Sequence, residues 1–454
     1  MGSPLAHGEE TMIDAVDAAL QNLTKQDVVE ITRKLIDIPS PVGGEKALAE
    51  YLADRFKRMG WKVITQEVEP ERPNVIGIMK GTGGGATLMF SCHLDTTWAG
   101  DEEGIRELGP GYWPKSLVEG EWIYGLGAYN MKGGLASVIA AVEAIARSGI
   151  RLKGDLVVAC VVGETCHVQT GRFQGARYRG SGVGASFMVS NGISADMAVC
   201  PESTSGRISI ASGGFVYLEI KTWGNPGATY ARGTAGIEVK PAVDAFDKML
   251  GIVTAMKQWA PTYRAAHRYM GEEATNVSII AMEGGHPWRP TKIPPFCRLY
   301  IEVDTMPGQH PLDVIGEVEG LLANLRSKDP DLSVELNVIQ TTHGAEISRD
   351  EYLVKALAKA HRRVHEADPH ITFDAWFCDT TALTRHGIPA VCYGTAGRSQ
   401  FGGAGYFPKE GEHAHAEDLL NGARVYVHLV SDVCSQDRET LVAQQPTRRG
   451  TVTL

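Results

Sequence analysis

The chain reads as an α/β protein: a mixed, mostly parallel sheet with helices on both faces, plus an inserted ferredoxin-like α+β domain. Three observations predict this. Apolar runs without alternation, at residues 86–91, 156–162 and 197–200, read as strands buried on both faces, and helical stretches separate them. After about Gly213 the runs alternate apolar and polar, as in a sheet with one wet face, and follow the order β-α-β-β-α-β. From Glu351 the alternation of helix and strand returns. With 454 residues the chain is too long for one core. It divides into an α/β domain in two parts, 1–213 and 331–454, interrupted by a smaller domain at 214–330.

Taken in order, Thr24 precedes an amphipathic helix over 28–36, with Asp27 three residues on as a capping box, and Pro39 and Pro41 stop it. A second helix, 45–59, ends at Gly60. Strands follow at 61–68 and 74–79, then the buried strand that runs to Asp95. Residues 131–147 are Ala-rich with apolar residues at helical spacing. The inserted module reads as strand 215–223, helix 241–257, strands 275–282 and 297–303, helix 311–325 and a last strand at 332–339. A helix at 352–367, a strand at 388–393 and a helix at 416–435 complete the chain.

Composition narrows the function classes. A net charge of -10 argues against a general nucleic-acid or membrane-surface binder. No apolar run is long enough to span a bilayer and no charged-then-apolar signal segment opens the chain. The eight cysteines include no CxxC pair, and Cys92, Cys160, Cys200 and Cys392 sit in apolar runs where buried free thiols are the default. Cytoplasmic residence is the expectation.

The chemistry sits at the ends of the buried strands. His93 and Asp95 close the first run two residues apart, so both point to one side of a strand end. That suits a metal ligand with its orienting carboxylate, or simply a polar strand end facing solvent. The stretch 125–134, Gly-Leu-Gly-Ala-Tyr-Asn-Met-Lys-Gly-Gly, is a tight turn running into a helix without a Walker pattern. Glu164 ends the next buried strand, where a carboxylate is costly unless paired or functional. Glu202 ends the third. Glu412-His-Ala-His-Ala-Glu417 offers His413 and His415, although a lone histidine is usually structural.

The order of these motifs is far more specific than any one of them. His-x-Asp, Gly-x-Gly-x-x-x-Met-Lys-Gly-Gly, a glutamate after a strand, Asp-x-Ala-x-x-x-Glu-x-Thr over 196–204, an inserted module and a late His-Ala-x-x-x-Asp-Leu follow one another. Together they resemble the metallopeptidase and deacylase family of carboxypeptidase G-type enzymes, acetylornithine deacetylase, succinyl-diaminopimelate desuccinylase and aminoacylase. The resemblance covers nearly the whole chain, including the stretch 387–394 as a last core strand. It implies that His93 and Glu202 hold one metal, that Asp95 orients the histidine, and that Glu164 is the general base. It further implies that His415, or else His413, serves a second metal. Such enzymes commonly pair through the inserted domain, so a homo-oligomer is expected.

Departures from the family pattern carry as much information. Asn130 stands where the family has its bridging aspartate, and Thr165 where the second glutamate ligates metal. About two negative charges are thus missing from a two-ion site. The expectation is one divalent transition metal (Mn, Zn, Co or Fe) on His93, Glu202 and Asn130 or a C-terminal histidine. The family's oxyanion histidine is absent from the stretch 224–230, and Asp304 stands where the family has an arginine. Losing that donor would cost an acyl hydrolase on the order of a hundredfold or more. Ordinary peptides and N-acyl amino acids are therefore not the expected substrates; the expectation is a small carboxylate-bearing molecule, with Arg289, Thr165 and His167 as candidate contacts. The altered ligand set resembles the family's 5-nitroanthranilic acid aminohydrolase branch. The alternatives are a deacylase, amidohydrolase or dipeptidase on N-acyl amino acid-like substrates, and a non-catalytic relative. Residues 166–181, with Arg172, Arg177 and Arg179, form an insertion after the base that is either a solvated or subunit-contact loop or a carboxylate clamp.

Overall fold

A computed structural model of the chain describes residues 14–230, 242–273, 275–398 and 411–443. They fall into two units, Met1–Ala211 with Glu346–Asp374 and Cys378–Leu454, and Ser212–Ala345 with Ala375–Phe377. The first runs α1 (Lys25–Ile36), α2 (Lys46–Arg58), β1 (Lys62–Glu69), β2 (Arg72–Met79), β3 (Leu88–His93), β4 (Leu117–Glu119), β5 (Trp122–Tyr124), α3 (Lys132–Ser148), β6 (Leu156–Val161), α4 (Val183–Ser190), β7 (Met197–Cys200) and β8 (Ile208–Ser212). The second contributes β9 (Gly214–Trp223), α5 (Ala245–Ala266), β10 (Val277–Gly284), β11 (Phe296–Thr305), α6 (Pro311–Lys328) and β12 (Ser333–Thr342). The chain returns with α7 (Tyr352–His365), β13 (Ile371–Asp374), α8 (Thr380–Arg385), β14 (Ala390–Cys392), β15 (His413–His415) and α9 (Ala416–Cys434).

The sheet of the first unit has the order β1-β2-β6-β3-β7-β14-β8. Its centre is parallel, because β3 runs with β6 and β7 and β14 runs with β7, while the flanking pairs are antiparallel. Every residue of β3, β6 and β7 is buried. The two-residue period sends Leu88, Phe90, Val158 and Cys160 to one face, against Leu135 and Ile139 of α3 and Val425 and Leu429 of α9. Met89, Val157 and Val161 face the other way, onto Ala185 and Met188 of α4 and Leu383 of α8. Fully burying such a side chain contributes about 1.5–3 kcal/mol, so a run that is apolar on both faces is stable only between two helix layers. At α1 the Thr24 hydroxyl accepts the Asp27 N–H at 3.1 Å, as the capping pattern requires.

The second unit is a four-stranded antiparallel sheet in the order β10-β11-β9-β12, the ferredoxin-like arrangement. Leu218 and Ile220 of β9 and Leu299 and Ile301 of β11 pack under Met249 and Ile252 of α5 and Val314 and Val318 of α6. The boundary expected at residue 330 falls later. β12 pairs along β9 from Ser333↔Trp223 to Thr342↔Phe215, so 331–345 belong with the inserted unit and not with the returning catalytic part. The helix expected from 241 starts at Ala245, where the Asp244 side chain accepts the Phe246 N–H, and it runs on to Ala266. Residue 241 lies outside the described residues.

Candidate metal centre

Three adjacent parallel strands end on the same side, and each delivers one polar group. β3 ends at His93, which lies opposite Val161 at the end of β6. Glu164 follows β6 by three residues, and Glu202 follows β7 across Pro201. This is the carboxyl edge of a parallel sheet, where α/β proteins gather their ligands. The side chains of His93, Glu164 and Glu202 are buried, with ligand atoms all within 4.8 Å of one another. His93 Nε2 lies 3.6 Å from Glu202 Oε1 and 3.7 Å from Glu164 Oε2. Asn130, from the loop before α3, adds its Oδ1 at 2.9 Å from the same nitrogen. His93 Nδ1 sits 3.0 Å from the Asp95 carbonyl oxygen, which can only accept. Nδ1 therefore carries a proton, and Nε2, aimed at the Asn130 amide oxygen, would offer its lone pair where a cation takes the place of the ring's second proton.

Asp95 does two things. Its main-chain oxygen orients His93, while its carboxylate holds the turn that carries Glu164. It accepts the Glu164 N–H at 2.9 Å, the Thr165 N–H at 2.8 Å and the Thr165 hydroxyl at 2.7 Å. Burial raises the Asp95 carboxyl, but His93 and these donors outweigh it and hold it below its usual range. The turn itself needs a glycine: Gly163 has φ +63°, and a Cβ there would meet Arg72 Nη2 at 2.6 Å. Arg72 is buried and paired with Glu45 at 2.6 Å. At Gly134 a Cβ would lie 2.0 Å from the Pro201 carbonyl oxygen. The glycines before and inside α3 thus let the helix start against the segment that holds Glu202.

The electrostatics call for a cation. Burial, then neighbouring acidic groups, pushes the Glu164 carboxyl well above the ordinary carboxylate range; burial and Cys378 do the same to Glu202, against the pull of His93. Burial lowers the His93 imidazole, but Asp95 and Glu202 more than offset it. Among the described residues no lysine or arginine pairs with Glu164 or Glu202. Two buried carboxylates, an imidazole lone pair and an amide oxygen converging without a basic partner fit a divalent ion of the first transition row. His93, Glu202 and Asn130 are the groups that would hold it, with Glu164 beside them.

The remaining candidates lie as follows. Thr165 does not present its hydroxyl to a substrate, because the group is buried on Asp95. His415 does not join the cluster. It pairs through Nε2 with Glu121 at 3.3 Å and packs edge-on against Trp122, as β15 pairs with β5. His413 is buried against Trp122 and Tyr124, with Nδ1 3.0 Å from the Gly411 carbonyl. His167 is a tie within the insertion, with Nδ1 2.9 Å from the Arg177 carbonyl and Nε2 3.3 Å from that of Thr97. Arg177 pairs with Asp101 at 3.1 Å and Arg179 with Glu69 at 2.6 Å, which favours a structural loop over a carboxylate clamp. Arg289, in the inserted unit, lines an open cleft of about 320 Å³ with His286, Lys292 and Phe246.

Two groups at the site went unassigned in the sequence. Cys378, just before α8, lies with Sγ 3.9 Å from Glu202 Oε1 and 3.2 Å from Cys392 Sγ. Glu412, buried ahead of the two histidines, takes backbone N–H groups from the Asn130 loop. The only sequence signal for Glu412 was a carboxylate flanked by apolar and histidine residues.

Comparison with known proteins agrees with this geometry. The chain is 24% identical over 448 residues to N-formyl-4-amino-5-aminomethyl-2-methylpyrimidine deformylase of Bacillus subtilis, covering 91% of this chain and 96% of that protein. It is 26% identical over 345 residues to acetylornithine deacetylase of Salmonella paratyphi B, covering 73% and 81%. A dipeptidase structure from Saccharomyces cerevisiae superposes with TM-score 0.69 at 13% identity, over 93% of this chain and 99% of that one, which speaks to the fold alone. The sequence profile of Peptidase family M20/M25/M40 matches residues 89–432, a span that takes in His93, Glu164, Glu202 and the inserted unit. The chain belongs to that family and is a metal-dependent hydrolase.

Proposed function

We propose that this hydrolase works with one divalent transition metal, Mn, Zn, Co or Fe, and releases ammonia from a small aromatic amino acid such as 5-nitroanthranilate. The observation that carries the reading is the cluster of His93, Glu164 and Glu202 completed by the neutral Asn130. A cation held there supplies Lewis acidity and a water of lowered pKa. Glu164 takes a proton from the attacking water and returns it to the departing nitrogen. One C–O bond forms and one C–N bond breaks, so an aminoarene and water give a hydroxyarene and ammonia. Added charge passes into the nitro-substituted ring, which reduces the need for the oxyanion histidine missing from 224–230. Asp95 keeps His93 and Glu164 in place throughout.

A second reading is removal of an N-formyl or other N-acyl group, favoured by the nearly full-length likeness to the Bacillus subtilis deformylase. Arg289 of the inserted unit is the proposed contact for a substrate carboxylate. The exposed Ile280 and Met282 on the edge strand β10 support assembly as a homo-oligomer, and the cytoplasm remains the expected compartment; no helix among the described residues is long and apolar enough to cross a membrane. The test is a parallel assay of metal-loaded protein for ammonia from nitro-substituted anthranilates and for formate, acetate or amino acid from N-acyl substrates. Ammonia release that stops on chelation is the expected result. Brisk N-acyl hydrolysis with no ammonia would replace this reading with the second.

A further inference from the structure

Glu412 precedes the two histidines that the sequence offers as ligands, yet its own side chain turns toward the site. In β15, His413 and His415 lie against Trp122, while Glu412, one residue ahead of the strand, reaches the Asn130 loop. Glu412 is 2% exposed. Its Oε2 accepts the N–H of Gly127 at 2.9 Å, of Tyr129 at 3.2 Å and of Asn130 at 3.0 Å. The main chain adds to the clamp, since the Glu412 carbonyl accepts the Gly125 N–H at 3.3 Å. Three donors on one carboxylate oxygen fix the loop at the residue whose amide oxygen stands 2.9 Å from His93 Nε2.

We propose that Glu412 is a positioning residue for the metal site: it sets Asn130 against His93 by holding the Asn130 main-chain N–H on its carboxylate. The inference rests on the metal site proposed above. It accounts for a neutral amide serving in the ligand set, because the loop that carries the amide is fixed through its main chain. Residues that orient a ligand typically carry 10–100-fold of the affinity for the metal.

The experiment measures Zn(II) dissociation by competition with a chromogenic chelator, and the visible spectrum of the Co(II) form, for the wild type and for Glu412→Gln, Asn130→Ala and the double variant. Glu412→Gln is expected to weaken Zn(II) about 10–100-fold and to alter the Co(II) bands. In the Asn130→Ala background it is expected to add less than about threefold, since both act through one contact. Zn(II) affinity within about twofold of wild type, or an undiminished loss in the Asn130→Ala background, overturns the inference. If Glu412→Gln does not fold by circular dichroism, Glu412→Asp, which retracts the carboxylate by one methylene, is held to the same two criteria. His93→Ala separates the two ideas: loss of Zn(II) binding there upholds the metal site whatever Glu412 does.

Discussion

The two sides of this pocket are built on different principles. On one side His93, Glu164 and Glu202 come from the ends of three neighbouring parallel strands, and the sheet brings them together. On the other side Asn130, Thr165 and His415 come from a loop, a turn and a strand outside that sheet. There the Thr165 hydroxyl has turned to Asp95, and His415 has turned to Glu121 and Trp122. Asn130 alone keeps its oxygen on the cluster, held from behind by Glu412. Positions fixed by strand register tolerate little change, because moving one moves the strand core with it. Positions on loops can be rewired while the core stays as it is.

The sharpest way to break the comparison is at the strand-built side. Glu164→Gln is expected to lower kcat by about 10²–10⁴-fold while the metal content per chain, read by elemental analysis, stays the same. Unchanged turnover would remove Glu164 as the base and leave the strand-end cluster without a proton carrier. Next in size is an attempt to make the two sides alike. Asn130→Asp combined with Thr165→Glu returns both missing carboxylates, and metal bound per chain is expected to rise from one toward two. A stoichiometry that stays at one would mean that the absent charge is not what separates the two sides.

The same division governs what could be read from the sequence. His93, Glu164 and Glu202 were legible because each lies at or just past the end of a run without charged residues, and a charge at such a place must be paired or used. The two layers and the inserted module were legible for a similar reason, as a switch from unbroken to alternating apolar residues. Glu412 was not legible. Where Glu412 lies depends on how the next three residues pair with Trp122–Tyr124, nearly 300 residues earlier in the chain, and the two nearby histidines are louder than a glutamate. The new partners of Thr165 and His415 were hidden in the same way, since each is fixed by a distant element. The boundary drawn at 330 cut off the inserted module's own last strand, Ser333–Thr342, which pairs along β9.

A smaller effect tests how the sides are joined. Thr165→Val keeps the shape of the side chain and removes its bond to the Asp95 carboxylate. A buried hydrogen bond to a charged group is worth about 1.5–3 kcal/mol, and calorimetry is expected to show a loss of that order. Turnover is expected to fall with it, because Asp95 holds the Glu164 turn through the same pair of residues. A stability loss with kcat untouched would show that the turn keeps its place without the hydroxyl.

The smallest expected effect is the most direct probe of the rewired side. By resemblance His415 is a metal ligand; by its contacts it is a mostly buried side chain packed on Trp122 and partnered by Glu121, which is itself about half exposed. A polar contact to so exposed a carboxylate contributes about 0–1 kcal/mol. His415→Ala is therefore expected to cost little stability and to leave Zn(II) affinity within about twofold of wild type, whereas a ligand's removal would cost it 10-fold or more. A loss on the ligand scale, measured by the same chelator competition, would mean that β15 turns its histidines inward when metal binds, and that the second side of the pocket is dormant and not dismantled.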